Sequence, residues 1–328
     1  MRESHTIEPR GKTTFLLSLV APMYNEADAC GIFFTRVLAI LDKLHCHFEI
    51  ICVNDGSQDG TLAALRKCAE ADARIKVIDL SRNFGKDIAL SAGLDHARGD
   101  AILPIDADLQ DPPELIPEML GLWQEGHDVV LAIRGDRSSD THTKRVMAGL
   151  FYRLLRWLGD IPIPAHAGDF RLMDRRVVDA LKRLPERTRF MKGLFAWLGF
   201  RQTAIYYTRP PRAVGDTKWK PSKLWNFALD GVVSFTTLPL RIWTYLGFLV
   251  ALFSVGYLVF IILRTLMLGI DVPGYASILS VVLLFGGFNM IGLGILGEYI
   301  GRIFVEVKQR PLYLIRETIG FGPQGMTG

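Results

Sequence analysis

Ala101-Ile-Leu-Pro-Ile105, followed at once by Asp106-Ala107-Asp108-Leu-Gln110-Asp-Pro-Pro113, decides how this chain is read. A short apolar run closed by two carboxylates at i and i+2 reads as a buried strand. It delivers hard oxygen ligands to a sheet edge, where a divalent cation keeps open positions for phosphates. Aspartates after a strand are also ordinary turn formers, so the pair has to be weighed with its neighbours. Upstream, Leu16 to Ala21 breaks at Pro22-Met23-Tyr24-Asn25-Glu26, and Phe48 to Val53 ends in Asn54-Asp55-Gly56-Ser57-Gln58-Asp59-Gly60-Thr61. Three apolar strands that finish in polar or acidic loops predict an α/β domain with a mainly parallel sheet. In such sheets ligands bind outside the carboxyl ends of the strands, so Glu26, Asp55, Asp106 and Asp108 are expected in one crevice.

Five motifs follow one another in order: A-P-M-Y-N-E (21–26), V-N-D-G-S-Q-D-G-T (53–61), S-R-N-F-G-K (81–86), D-A-D-L-Q-D-P-P (106–113) and G-D-F-R-L (168–172). Together they resemble family 2 glycosyltransferases. More narrowly, they resemble the polyprenyl-phosphate glycosyltransferases, the group containing dolichol-phosphate mannose synthase and the bactoprenol glucosyltransferases called GtrB. The resemblance runs from about Phe15 to Tyr313. It implies a GT-A, Rossmann-like nucleotide-sugar domain with a mixed, mainly parallel sheet, a UDP-sugar donor and a polyprenyl (undecaprenyl) phosphate acceptor.

A nucleotide donor needs an acceptor for base or ribose hydroxyls, which Asp55 suits, and a cation on its pyrophosphate, which Asp106 and Asp108 suit as ligands of Mg or Mn. The resemblance adds Gln110 as an oxygen ligand. It also places Pro22, Tyr24, Glu26 and Ala107 around the donor and Val53 under the base. For Tyr24 and Val53 simple packing is the alternative. The lipid phosphate calls for cations, and Arg134, Arg145, Arg212 and Lys218 follow strands or loops at suitable places. Asp169, with Arg171 two residues on, is placed near the reacting centre by the resemblance, so Asp169, Asp108 and Arg171 form the expected catalytic set. A phosphate monoester with a second pKa of about 6 is largely deprotonated at neutral pH. Asp169 is therefore expected to orient the acceptor, while in-line attack on the anomeric carbon inverts it.

With 328 residues the chain has room for one α/β domain, here 15–220, plus a smaller part. A mean hydropathy of +0.22 is high for a soluble enzyme, and the apolar excess lies late, in uncharged stretches at 242–263 and 276–297. Each is long enough to cross a hydrocarbon core of about 30 Å. The expected organisation is a flexible N-terminus (1–14), an amphipathic interfacial helix (221–240), a two-span hairpin (241–301) and a cytoplasmic tail (302–328). Arg264 is the only basic residue between the spans, whereas Arg302, Lys308, Arg310 and Arg316 follow them. The positive-inside rule thus places the catalytic domain and both termini in the cytoplasm, at a bacterial inner membrane. The run 134–144, R-G-D-R-S-S-D-T-H-T-K, reads as a loop that orders over substrate.

A net charge of +4 is not gathered into a run with interleaved aromatics, which speaks against nucleic acid and for anionic lipid. Cys30, Cys46, Cys52 and Cys68 form no CxxC pair and fit a reducing compartment. Gly297 and Gly301, at i and i+4, suit close helix approach, and the resemblance to GtrB implies a homo-oligomer, possibly a tetramer. A flippase and a downstream glycosyltransferase of the same pathway are the further partners expected. Glucose is the first choice of sugar by resemblance. N-acetylhexosamine, mannose, galactose and aminoarabinose make the same demands on the site. A processive synthase would need a Gln-x-x-Arg-Trp motif, and Arg153 stands where its glutamine should be. A nucleotide-sugar sensor or membrane scaffold is the non-enzymatic alternative.

Overall fold

Among the described residues eight strands form one sheet: β1 (Leu16–Met23), β2 (His47–Asn54), β3 (Ile75–Leu80), β4 (Ala101–Pro104), β5 (Val129–Arg134), β6 (Ala167–Asp174), β7 (Gln202–Tyr207) and β8 (Ile315–Ile319). Their order across the sheet is β7-β5-β6-β4-β1-β2-β3-β8. The computed structural model describes residues 9–11, 14–135, 167–184, 186–187, 189, 191–207, 238–268 and 274–322. β1 pairs in parallel with β2 and β4, β2 with β3, and β5 with β7, whereas β6 is antiparallel to both β4 and β5, and β8 to β3. The expected mixed, mainly parallel sheet is therefore present.

The central strands read as continuous apolar runs because both faces of the sheet are covered. Successive side chains alternate between two cores, as the pleat requires. Leu17, Leu19 and Ala21 of β1 join Ile50 and Cys52 of β2 on one face, while Val20 joins Ile51 and Val53 on the other. The first core is closed by α1 (Ala27–Leu41), α2 (Thr61–Ala71) and α4 (Ile116–Gln124), through Phe33, Leu65 and Trp123 among others. The second is closed by α3 (Lys86–His96), α5 (Arg175–Lys182) and α6 (Met191–Trp197), through Leu90, Val178 and Leu194. Connections leave β1 in one direction across the sheet and β4 lies on its other side, so the topological switch point opens a crevice at the carboxyl ends of β1 and β4. The four cysteines are free thiols, two of them buried.

Both ends of the described chain are tied to this domain. Arg10, in the stretch expected to be flexible, donates to the carbonyls of Trp123 and His127, both at 2.6 Å, and pairs with Asp128 at 2.8 Å. Residues 315–319, expected in a tail, supply the edge strand β8. Between them come α7 (Leu238–Leu268, 31 residues) and α8 (Tyr275–Val307, 33 residues). Among the described residues no helix is long and apolar enough to cross a membrane. Both helices include positions whose side chains lie outside the described set, and the expected crossing at 242–263 and 276–297 is a proposal. Gly292 is the glycine of α8 against which Trp243 of α7 packs, whereas a Cβ at Gly297 or Gly301 would meet no described atom within 4 Å. The interfacial helix expected at 221–240 lies outside the described residues up to position 237, as does the loop from 136 to 144.

One buried charge locks the amino ends of the central strands. Glu49 of β2 is 3% exposed and accepts from Ser18 Oγ at 2.5 Å, the Arg98 amide at 2.8 Å and Lys76 Nζ at 2.5 Å. Burial alone raises this carboxyl, but the donors from Lys76, Ser18 and Arg98 outweigh it and hold it below the ordinary glutamate range. A depressed folded pKa adds stability above the unfolded value, and that stability is lost as pH falls through the folded value. Glu49→Gln is expected to cost about 1–3 kcal/mol at pH 7 and to flatten the loss of stability below pH about 4.5. Melting temperatures of variant and parent from pH 7 down to about pH 2.5, well below the ordinary glutamate range, check this, and parallel curves would contradict it.

Candidate active site at the carboxyl ends of the strands

The loop after β1 and the loop after β2 are stitched together by short polar side chains. Asn25, at φ +53, donates its amide to Ser57 Oγ at 3.0 Å and accepts the Gln58 amide on its Oδ1 at 2.8 Å. The Glu26 amide donates to Thr61 Oγ1 at 2.9 Å, and the Ala27 amide to Asp59 Oδ2 at 3.2 Å. Asn, Asp and Ser serve here because each offers a short acceptor that replaces a missing backbone partner. These bonds hold Pro22 and Glu26 at the crevice, with Tyr24 39% exposed beside them. Val53 has no exposed surface and packs with Val20 against α3. Its side chain takes the packing alternative.

Asp55 faces inward. It is 2% exposed, and its two oxygens accept the amides of Phe84 at 2.7 Å and Gly85 at 2.9 Å. Burial raises its pKa above the usual carboxylate range, against the lowering effect of those two amides and of Arg82. The side chain expected to meet a nucleoside thus also anchors the S-R-N-F-G-K loop at the start of α3. Gly56 explains why glycine follows: at φ +63 its Cβ would run into the backbone of Arg82 and Asn83.

That loop delivers Lys86, the first residue of α3. Its ammonium lies 2.7 and 2.8 Å from the two oxygens of Asp106 and 2.9 Å from Asp169 Oδ2. Burial favours the neutral amine, but the charges of Asp106 and Asp169 outweigh it and raise the lysine above its ordinary range. The meeting depends on strand direction. Because β6 is antiparallel to β4, with Ala101 opposite Asp174, the beginning of β6 lies beside the end of β4. Asp169 therefore stands across from Asp106 although 62 residues separate them, counting from 106 to 169 exclusive.

Asp108 accepts the Gln110 amide at 3.1 Å, a turn that needs Leu109 at φ +53. Ala107 and Gln110 are buried, and Asp111 accepts Tyr207 Oη at 2.7 Å, which ties the loop to β7. Arg171 is 4% exposed. Its Nη2 donates to the Gly168 carbonyl at 2.7 Å and its guanidinium stacks 4.1 Å from the Phe195 ring, while its Nε has no partner among the described residues. Burial pulls its pKa down to about 10, with Asp169 opposing, so it stays charged at neutral pH. Arg134 ends β5 beside Tyr207 of β7, with its side chain outside the described residues. Arg145, Arg212 and Lys218 lie outside them altogether.

The structure thus brings Asp106 and Asp169 together on Lys86, with Asp108 two residues on from Asp106 and Arg171 two residues on from Asp169, while Asp55 anchors the loop that carries Lys86. Lys86 is not among the expected site residues, although it closes the S-R-N-F-G-K motif at 81–86. The signal was a glycine before a lysine at a helix start, here Gly85 at φ +101.

Among the described residues no group of three histidine, cysteine or carboxylate side chains could hold a metal alone. Two aspartates at a strand end still fit an ion whose shell is completed by phosphate oxygens and water. The Lys86 ammonium, seated on Asp106, marks that carboxylate as a cation receiver. Gly56→Ala is expected to keep the fold but shift the 81–86 loop, since overpacking there costs about 1–3 kcal/mol. Affinity for a nucleotide in the crevice, probed with UDP, should fall about tenfold, as each ~1.4 kcal/mol is a factor of ten. Calorimetric titration with Mn and UDP, beside circular dichroism, measures both.

Residues 18–182 match the family model described as Glycosyl transferase family 2. An uncharacterised glycosyltransferase of Synechocystis sp. is 55% identical over 94% of this chain and 96% of its own length. A prophage bactoprenol glucosyl transferase homolog of Escherichia coli is 48% identical over 92% of this chain and 98% of its own. The bactoprenol glucosyl transferase of Shigella phage SfII is 47% identical over the same shares. Model, relatives and strand-end carboxylates agree, and the chain belongs to glycosyltransferase family 2.

Proposed function

We propose that this glycosyltransferase moves glucose from UDP-glucose to undecaprenyl phosphate, with inversion, at the cytoplasmic face of a bacterial inner membrane. The observation that carries the reading is the Lys86 ammonium held between Asp106 and Asp169, a cationic seam between a donor-side and an acceptor-side carboxylate. Relatives named bactoprenol glucosyl transferases, at 47–48% identity over nearly their full length, support the lipid and the sugar. A UDP donor and inversion follow from the resemblance and from the chemistry of the site.

Asp106 and Asp108, with Gln110 beside them, would hold a divalent metal, Mg or Mn, which when bound supplies charge to the departing diphosphate. Asp55 and the interlocked loops 22–27 and 54–61 frame the nucleoside. A lipid phosphate oxygen attacks the anomeric carbon; the new C–O bond forms as the bond to the diphosphate oxygen breaks, and UDP leaves with the electron pair. No base has to remove a proton from an acceptor that is already ionised. Asp169 orients the acceptor through Lys86 and Arg171, while Arg134, Arg145, Arg212 and Lys218 receive the phosphate.

Helices α7 and α8 would form the membrane hairpin. At 31 and 33 residues they reach roughly 45–50 Å, against a hydrocarbon core of about 30 Å. Large apolar side chains such as Phe248, Leu252 and Phe253 of α7 and Phe288 and Ile291 of α8 are exposed on them, as lipid-facing residues are. The open positions at Gly297 and Gly301 leave room for a second copy, in line with a homo-oligomer of up to four. The product would feed a flippase and a later glycosyltransferase.

The deciding experiment is transfer from a panel of UDP- and GDP-sugars to undecaprenyl phosphate by the purified protein, with and without Mg or Mn. One sugar transferred in a metal-dependent way, and no product from Asp108→Asn, is the expected result. Donor binding without transfer to any polyprenyl phosphate would overturn it. Asp169→Asn is expected to lose about a hundredfold or more in rate, the scale of a misplaced reactant, with UDP affinity within about twofold of the parent. A collapse of UDP binding in that variant would make Asp169 part of the metal shell instead.

A further inference from the structure

The last strand of the chain braces the loops that frame the donor. Residues 308–314 lead from the end of α8 at Val307 back to β8, which adds antiparallel to β3 at the sheet edge. Its register shifts between Asp79 and Leu80, an irregularity of the kind that re-aims a side chain. There Arg316 reaches over the carboxyl end of β3, with Nη1 3.2 Å from Asp79 Oδ2 and Nη2 donating to the Ser81 carbonyl at 2.7 Å. The Ser81 amide in turn donates to the Leu314 carbonyl at 2.8 Å.

Both ends of this contact lead to the site. Asp79 is 1% exposed and accepts Asn54 Nδ2 at 2.7 Å, and Asn54 Oδ1 accepts the Ser57 amide at 3.4 Å in the N-D-G-S loop. Ser81 opens the S-R-N-F-G-K loop whose far end carries Lys86. Removal of Arg316 would leave the buried Asp79 with Asn54 as its side-chain donor among the described residues and release the start of the 81–86 loop. A buried carboxylate that loses a charged donor forces its surroundings to move.

We infer that Arg316 is a positioning residue for the donor site, holding the 54–57 and 81–86 loops at once, and that β8 thereby ties the end of the helical hairpin to donor binding. The inference rests on the nucleotide-sugar reading of the crevice. The neighbouring Glu317, opposite Asp79 in the strand register, turns its side chain to Arg66, which supplies a control that weakens β8 without removing a side-chain bond to Asp79 or Ser81.

Full-length protein in detergent micelles is titrated with UDP in the presence of Mn, and its donor and acceptor KM values are measured for Arg316→Gln, Arg316→Lys and Glu317→Gln. Arg316→Gln is expected to raise the UDP Kd and the donor KM about tenfold, the scale of a lost hydrogen bond to a charged group, with the acceptor KM within about twofold. Arg316→Lys should recover part of the loss, and Glu317→Gln should bind UDP like the parent. A UDP Kd for Arg316→Gln within twofold of the parent overturns the inference, as does an equal loss in Glu317→Gln, which would assign the effect to general stability of the strand. Should Arg316→Gln fail to fold, Arg316→Lys decides: weakened UDP binding supports the role and unchanged binding refutes it. A parent protein that binds no UDP would sink the nucleotide reading, and this inference with it.

Discussion

The site depends on a carboxylate that never faces water. Asp55 has given up hydration at the end of β2, and the amides of Phe84 and Gly85 replace it. Backbone donors at a helix start need an acceptor, and a buried carboxylate needs donors. Each requirement meets the other, so the loop after β3 is pulled across the end of β2. Gly56 makes this approach sterically possible, and the start of α3 is fixed by it. Everything that Lys86 does is downstream of that exchange.

The second constraint is strand direction. A wholly parallel sheet would place the start of β6 at the far edge from β4's end. Insertion of β6 antiparallel between β4 and β5 reverses this, so the G-D-F-R-L segment begins where the D-A-D segment begins its turn. One side of the crevice is built from the loops after β1, β2 and β3, and the start of β6 lies on the other. Their seam lies between β4 and β6, where parallel pairing gives way to antiparallel. Asp106 and Asp169 face each other across it, and without a cation between them they would repel.

Much of this was legible in the chain. Continuous apolar runs ending in polar loops specify parallel strands buried on both faces, and the structure has them at β1, β2 and β4. Of the carboxylates at their ends, Asp106 meets Asp169 through Lys86, while Asp55 turns onto the amides of Phe84 and Gly85. What escaped the reading was non-local. β8 is five residues, half exposed and lacking a continuous apolar run, so nothing local distinguishes it from a tail. Arg10 carries no local signal either, since its partners lie more than 110 residues away. Val53 illustrates the reverse case. Its place in a motif suggested a ligand contact, but the pleat turns its side chain into the core beside Val20.

Lys86 and Arg171 divide the positive charge of the site in a way their chemistry explains. Arg171 is buried, stacked on Phe195 and bonded to the carbonyl of Gly168. A planar guanidinium holds such a position because its fork and its stacking face are rigid, and even with its pKa lowered it remains charged. Lys86 is half exposed, and its compact ammonium satisfies three carboxylate oxygens from a flexible stem. It can leave Asp106 without dismantling the loop that carries it, because Asp55 holds that loop by the backbone. The fixed cation therefore sits beside Asp169, and the more exposed one sits on Asp106, the carboxylate that the proposed reading assigns to the donor's metal.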